Sequence, residues 1–220
     1  MQKFDTTAPV SAVLDIPAGA LRLIAADRAD TTVDVRPANP SKGRDVKAAE
    51  RVIVSFEGGV LRVALPVEHE LLGPSGAVEV TVQLPAGSSV EAKGAALDVR
   101  GVGRLGDVTV KAAQGPVKLD EAADARLAIQ AGDVTVGRLT GSGELSTAKG
   151  DLRVDEATRG SLALTTQAGS ITIGVATGVS ASLDAGTALG RISNALRSTG
   201  EAELTIRATT ALGDITASSL

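Results

Sequence analysis

The chain has 220 residues, with 22 basic against 26 acidic side chains and a net charge of −4, far from the basic signature of a nucleic-acid binder. It holds two phenylalanines, no tyrosine, no tryptophan and no cysteine, which excludes aromatic base-stacking platforms, disulfides and thiolate metal sites. The 43% hydrophobic content accompanies 25 glycines and is mostly Ala, Val, Leu and Ile, so the core is expected as thin, regular layers rather than aromatic bulk.

The opening stretch, "MQKFDTTAPVSAVLDIPAG", lacks a basic region followed by an apolar one. It does not read as a signal peptide, and no run approaches the roughly 20 apolar residues of a membrane span. A cytoplasmic protein without a membrane span is the expectation. Strand-like alternation comes next in "AVLDI", "ALRLIA", "TTVDVR", "RVIVSF", "VLRVAL" and "AVEVTVQL". "PANPSKG" and "ELLGPSG" are loop material, and "KGRDVKAAE" predicts a short helix. "DIPAG" at 15–19 and "QLPAG" at 83–87 look like matching strand-to-turn corners. Residues 1–100 therefore read as an N-terminal β-rich cap of longer, partly antiparallel strands, continuous with the remainder of the chain. "GVGRLG" at 101–106 superficially matches a phosphate-cradling GxGxxG, but no helix pattern succeeds it, so it reads as a bend between strands.

From residue 101 to 220 one phrase recurs. Its glycine stands at Gly115, Gly132, Gly150, Gly169, Gly190 and Gly213, at separations of 17, 18, 19, 21 and 23 residues. Two residues after each glycine come Val117, Val134, Leu152, Ile171, Ile192 and Ile215. Four after come Leu119, Val136, Val154 and Ile173, weakening to Asn194 and Ala217, with polar residues between the two columns. Five before stand Val110, Leu127, Leu145, Leu164, Ala185 and Ala208. This period-two alternation on both sides of the glycine describes two short strands joined by a bend, with one face buried. A repeat of this size cannot bury its apolar face alone and needs a neighbour on either side. Outward charges alternate in sign between repeats, as Glu121–Arg138–Glu156, Arg126–Glu144 and Asp184–Arg207, which is what stacking of paired strands favours.

The fold expected is all-β: a parallel β-helix or β-solenoid of two-strand coils of about 19 residues, with the N-terminal cap at one end. An antiparallel β-sandwich is the alternative. The chain finishes at "GDITASSL" with nothing to shield the last rung, so self-association through the C-terminal rung is expected, or else contact with an unidentified protein partner.

The segment "FDTTAPVSAVLDIPAGALRLIAADRADTTVDVRPANPSKGRDVKAAE", the "VQLPAGSSV" corner and the returning "GDVTV", "GDLRV", "GSITI" and "GDITA" phrases resemble a bacterial β-strand-repeat family of adhesin-like proteins of unknown function, in its actinobacterial form. The resemblance covers nearly the whole chain. It implies a β-solenoid without known catalytic residues, so it supplies no active-site positions.

The residues themselves offer little chemistry. His69 is the sole histidine, and no GxSxG serine accompanies it, so a solvated loop side chain is the expectation. Asp133, Asp151 and Asp214 come directly after anchor glycines. Stacking would set Asp133 and Asp151 about 5 Å apart, where a shared cation is conceivable. The favoured reading is that each accepts a local backbone bond at its bend. Asp120 and Asp155 read as turn residues, with Gly137 in the coil between them. The longest extension, "SNALRSTGEAE", offers Arg197, Glu201 and Glu203 without an evident arrangement. No catalytic residue, metal ligand or cofactor is assigned. The function expected is a non-catalytic structural or interaction module, with an end-to-end β-helical scaffold as the alternative and a polysaccharide-acting enzyme third.

Overall fold

In a computed structural model, which describes residues 1–66, 76–198 and 200–220, the alternating segments form strands whose aliphatic positions point to one side. Two units fold along the chain, Met1–Gly115 and Pro116–Leu220.

The first unit contains β1 (Gln2–Asp5), β2 (Ser11–Asp15), β3 (Ala18–Ala26), β4 (Asp30–Pro37), α1 (Gly43–Arg51), β5 (Ile53–Glu57), β6 (Val60–Ala64), β7 (Val78–Pro85), β8 (Ser89–Leu105) and β9 (Val108–Gln114). Every strand-like segment of the front third is a strand, and the helix forms where the sequence places it. Coils are built from β2 with β3, from β6 with β7, and from the two halves of the long β8. They pair in parallel, but not in chain order. β2 lies between β6 and β8, and β3 between β7 and β8. The outer coil is then closed by antiparallel strands: β5 on β6, β4 on β7, and β1 on β4. The two phenylalanines sit on these closing strands. Phe4 of β1 stacks on Phe56 of β5 with ring centroids 5.2 Å apart. An aliphatic ladder fills the layers between coils, and the wide side chains are spent where a layer ends. On β4, Asp30 is engaged by Arg28 (Nε–Oδ1 2.7 Å) and Lys3 (Nζ–Oδ2 3.2 Å). The Arg28 hydrogen bond, then that of Lys3, holds its carboxyl below the usual range.

Two details of this region differ from expectation. The two "PAG" corners are not equivalent. The first joins the two strands of one coil, and its Gly19 stacks on Val78 much as the anchor glycines stack on one another. The second leads from β7 into β8, from one coil to the next. "GVGRLG" is not a bend, because residues 101–105 lie inside β8 and the chain turns only after Leu105. A strand there satisfies the backbone by pairing along β3. "ELLGPSG" lies, except for its last residue, outside the described residues.

The second unit contains β10 (Val117–Ala122), β11 (Ala125–Ala131), β12 (Val134–Leu139), β13 (Gly143–Lys149), β14 (Leu152–Ala157), β15 (Gly160–Ala168), β16 (Ile171–Val175), β17 (Ala181–Leu189), β18 (Ile192–Ala195), β19 (Leu204–Leu212) and β20 (Ile215–Ser219). Each anchor glycine from Gly132 on sits between the two strands of its coil. All pairings in this unit are parallel, with one register shift between Val154 and Ala157 where β14 meets β16, so it is a β-solenoid and not an antiparallel sandwich. Val117 faces Val134, Val134 faces Leu152, and Leu152 faces Ile171. Val134, Leu152 and Ile171 are fully buried. The expected charge columns form as well: Glu121 lies beside Arg138, Arg138 meets Glu156 at 3.7 Å and Arg207 meets Asp184 at 3.3 Å. Such exposed pairs contribute a few tenths of a kcal/mol each.

One expectation is corrected. The last repeat in sequence is not the terminal rung. β15 pairs with β19 and β19 with β17, while β16 pairs with β20 and β20 with β18. The sixth coil is therefore inserted between the fourth and the fifth, and the outer coil is β17–β18. The reason lies in composition. Leu204, Ile206, Ala208, Ile215 and Ala217 are all fully buried. The fifth coil instead carries Asn194 in an inward column, and a closed core would leave that amide unsatisfied at a cost of at least 1–3 kcal/mol. On the outer coil Asn194 is exposed and its Oδ1 accepts from Leu196 N–H at 3.0 Å. In both units, then, the coil nearest the chain terminus is held between two others.

Candidate functional site

The carboxylates next to the anchor glycines form a ladder. Asp133 Oδ1 accepts from Asp151 N–H (2.9 Å), and Asp151 Oδ1 from Ser170 N–H (2.7 Å). Asp214 Oδ1 accepts from Arg191 N–H (2.8 Å). The bond expected at each bend is therefore not local. It reaches the equivalent residue of the next coil, 18, 19 or 23 residues away. At the opposite corner Asp124 Oδ1 accepts from Ser142 N–H (2.7 Å), and Ser142 Oγ from Ser161 N–H (3.2 Å).

A second ladder is one that reading the sequence missed. Thr147, Thr166, Thr187 and Thr210 each stand three residues before an anchor glycine. Their hydroxyls donate to the carbonyls of Gly132 (3.3 Å), Gly150 (3.1 Å), Gly213 (3.0 Å) and Gly169 (3.0 Å), respectively. From Gly150 on, a column of threonines three residues ahead of each anchor glycine was the available signal. Both ladders obey the corrected coil order, since Thr210 reaches the fourth coil and Thr187 the sixth. Together they saturate corner backbone groups that strand pairing leaves over.

Asp151→Ala is expected to lower unfolding stability by about 1–2 kcal/mol, because Ser170 N–H loses its acceptor. Asp151→Asn, which keeps an oxygen at the same place, is expected to retain most of it. Urea midpoints measure both, and equal midpoints for the two variants would overturn the ladder's role.

The remaining sequence candidates are not brought together. Asp120 and Asp155 are not turn residues, since they lie within β10 and β14. The glycines of this column are required by close approach: a Cβ on Gly137 would lie 2.5 Å from the Asp120 carbonyl oxygen, and one on Gly174 2.0 Å from that of Asp155. Asp155 is engaged by Arg153. Arg197 N–H donates to Ser219 Oγ (2.9 Å), while Glu203 N–H donates to the Ser180 carbonyl (2.9 Å) and its own carbonyl accepts from Gly160 N–H (3.0 Å). Both residues are thus held through their backbones, and Glu201 is exposed. His69 lies outside the described residues. Among the described residues no group of three or more His, Asp or Glu side chains is placed to hold a metal ion, and no helix is long and apolar enough to cross a membrane.

Among solved structures, the chain is similar to a putative adhesin from Parabacteroides distasonis ATCC 8503, at 14% identity and a TM-score of 0.48, over 98% of this chain and 95% of that one. It is similar to a putative adhesin from Bacteroides fragilis NCTC 9343 at 11% identity and a TM-score of 0.45, over 98% and 95% of the two chains. A putative cell adhesion protein from Clostridium sporogenes ATCC 15579 matches at 10% identity and a TM-score of 0.41, over 100% and 99%. No curated protein matches the chain. The Toastrack DUF4097 family model matches residues 14–218, nearly the whole sequence. The chain, with its glycine-anchored parallel coils, belongs to the Toastrack DUF4097 family.

Proposed function

We propose that this protein is a non-catalytic interaction module, adhesin-like in presenting regular β-solenoid faces to a partner. The observation that carries the reading is the fate of its polar corner groups. Asp124, Asp133, Asp151 and Asp214 each spend a carboxylate oxygen on a backbone N–H of the neighbouring coil. A general acid or nucleophile needs those oxygens turned toward a substrate. Here they hold coils together. The corners from β10 to β16 are likewise only two or three residues long and build no loops in which acids could converge, which weighs against a polysaccharide-acting enzyme.

The test pairs binding with turnover. Purified protein is expected to be retained saturably on intact bacterial cells, with retention unchanged by EDTA, and to release no reducing ends from acidic or neutral polysaccharides. Reducing-end release above buffer, or no saturable retention on any cell type tried, would overturn the reading.

A further inference from the structure

We propose that the coil β17–β18 stacks first on β15–β16, and that the coil β19–β20 then enters between them and moves β17–β18 outward by one layer. The seam between β15–β16 and β17–β18 is a slot that opens for a late coil.

The order of synthesis creates the need. In the first unit the sandwiched coil β2–β3 precedes both of its neighbours in the chain, so they can add to it from either side. In the second unit the sandwiched coil follows both of its neighbours. A chain is made and begins to fold from its N-terminus. Until β19–β20 exists, β15–β16 ends in an open parallel edge. The next coil to reach that edge is β17–β18.

The register shows that this coil fits there. β15 and β17 meet the same residues of β19: Leu162 and Leu183 both lie opposite Ile206, Thr166 and Thr187 opposite Thr210, and Ala168 and Leu189 opposite Leu212. Ile171 and Ile192 likewise share Ile215. Without β19–β20, the coil β17–β18 therefore reaches β15–β16 by a shift of one layer, about 5 Å, with no slip along the strands. The corner carries over as well. The Thr187 hydroxyl donates to the Gly213 carbonyl, and the Thr210 hydroxyl to that of Gly169. Before Thr210 arrives, the Gly169 carbonyl stands where Thr187 needs its acceptor. Gly190 packs on Gly213 as Gly213 packs on Gly169. Five residues join β16 to β17, against two or three at the corners from β10 to β16, and they bridge either spacing.

Side chains explain why the late coil goes in rather than on top. Outside β17–β18 it would close Asn194 into the core, where the amide has no partner. Inside, Leu204, Ile206 and Ala208 are fully buried between two coils. Insertion also brings Arg207 to Asp184 (3.3 Å) and Asp214 to Arg191 (3.7 Å). In the earlier stack Asp184 lies opposite Ala163 instead, since both residues pair with Arg207. The first stack covers the open edge of β15–β16, and the second replaces it with a better neighbour.

The chain has no cysteine, so introduced pairs report the order of events in the full chain. Thr165 and Gly186 are both exposed and both opposite Thr209. In the finished stack they are two layers apart, about 10 Å, beyond the roughly 4–7 Å between Cα atoms that a disulfide spans. In the earlier stack they are neighbours. Thr165→Cys with Gly186→Cys is compared with Gly186→Cys with Thr209→Cys. Separations of 21 and 23 residues make the two pairs link equally in a disordered chain. Oxidant is pulsed during refolding from urea. At early delays the first pair is expected to exceed the second about fivefold, since paired strands hold the two sulfurs within reach. Once refolding is complete the second pair is expected to dominate. The first pair, linked in urea and then refolded, is expected to be cut by trypsin after Arg207 but not after Arg138 or Arg153, and to resist at Arg207 once reduced. A first pair that never exceeds the second, a linked chain that resists trypsin at Arg207, or one cut at all three arginines would each overturn the proposal.

Discussion

Gly150→Ala is expected to destabilise the second unit by about 3–5 kcal/mol, the sum of a strained backbone and a steric overlap with no way out. Gly150 has φ +143°, which L side chains rarely adopt. A Cβ built there would lie 2.0 Å from the Gly132 carbonyl oxygen and 2.5 Å from its carbon. Neither atom can withdraw without cost, because the same carbonyl accepts the Thr147 hydroxyl bond and Gly132 is itself a corner of the coil below. Gly186→Ala is the matched control. It lies within β17, and an added Cβ finds nothing within 4 Å, so it is expected to shift stability by no more than about 0.5 kcal/mol. Urea unfolding measures both as midpoint shifts at constant slope. Equal shifts for the two variants would mean that the anchor glycines are not held by coil-to-coil contact.

Leu152→Ala is expected to cost about 3–5 kcal/mol, since a fully buried leucine is removed and the stack is too regular to collapse around the void. Leu152 lies between Val134 below and Ile171 above in one column. Combining Leu152→Ala with Val134→Ala is therefore expected to be non-additive by about 0.5 kcal/mol or more, as for residues that share a cavity. Ile192→Ala truncates a residue of the same column that is 46% exposed, and about 1 kcal/mol is expected because much of its surface meets water already. This graded loss along one column is a consequence of the corrected coil order. A cost at Ile192 matching that at Leu152 would place the fifth coil inside the stack instead.

Much of the architecture was legible in the residues because a parallel stack writes each layer into the chain as a recurring column. Val134, Leu152 and Ile171 announce a shared interior by their constant distance from a glycine, and Glu121, Arg138 and Glu156 announce the stacking by alternating sign. The aspartates were visible too, but not their partners. A side chain just after a glycine at a bend ordinarily turns back on its own backbone, and the Asp133 oxygen instead reaches a residue 18 positions on. Asp120 and Asp155 misled for a related reason. Their neighbours in the stack are glycines, Gly137 and Gly174, which in isolation suggest turns, whereas what these positions require is room for the carbonyl of the coil below.

By itself the sequence determined that the protein is all-β, that its coils carry two strands about a glycine, and which residues line the interior, because burial alternates with period two whatever the order of the layers. Only the tertiary structure decided that order. The sequence runs from the fifth coil to the sixth, yet the sixth lies inside and the fifth outside, because an eight-residue connection between β18 and β19 lets the chain step past one layer and shelter its more apolar coil. Parallel pairing through backbone groups is indifferent to chain order. The choice falls to the side chains, and Asn194 with its half-exposed neighbour Ile192 takes the edge that faces water.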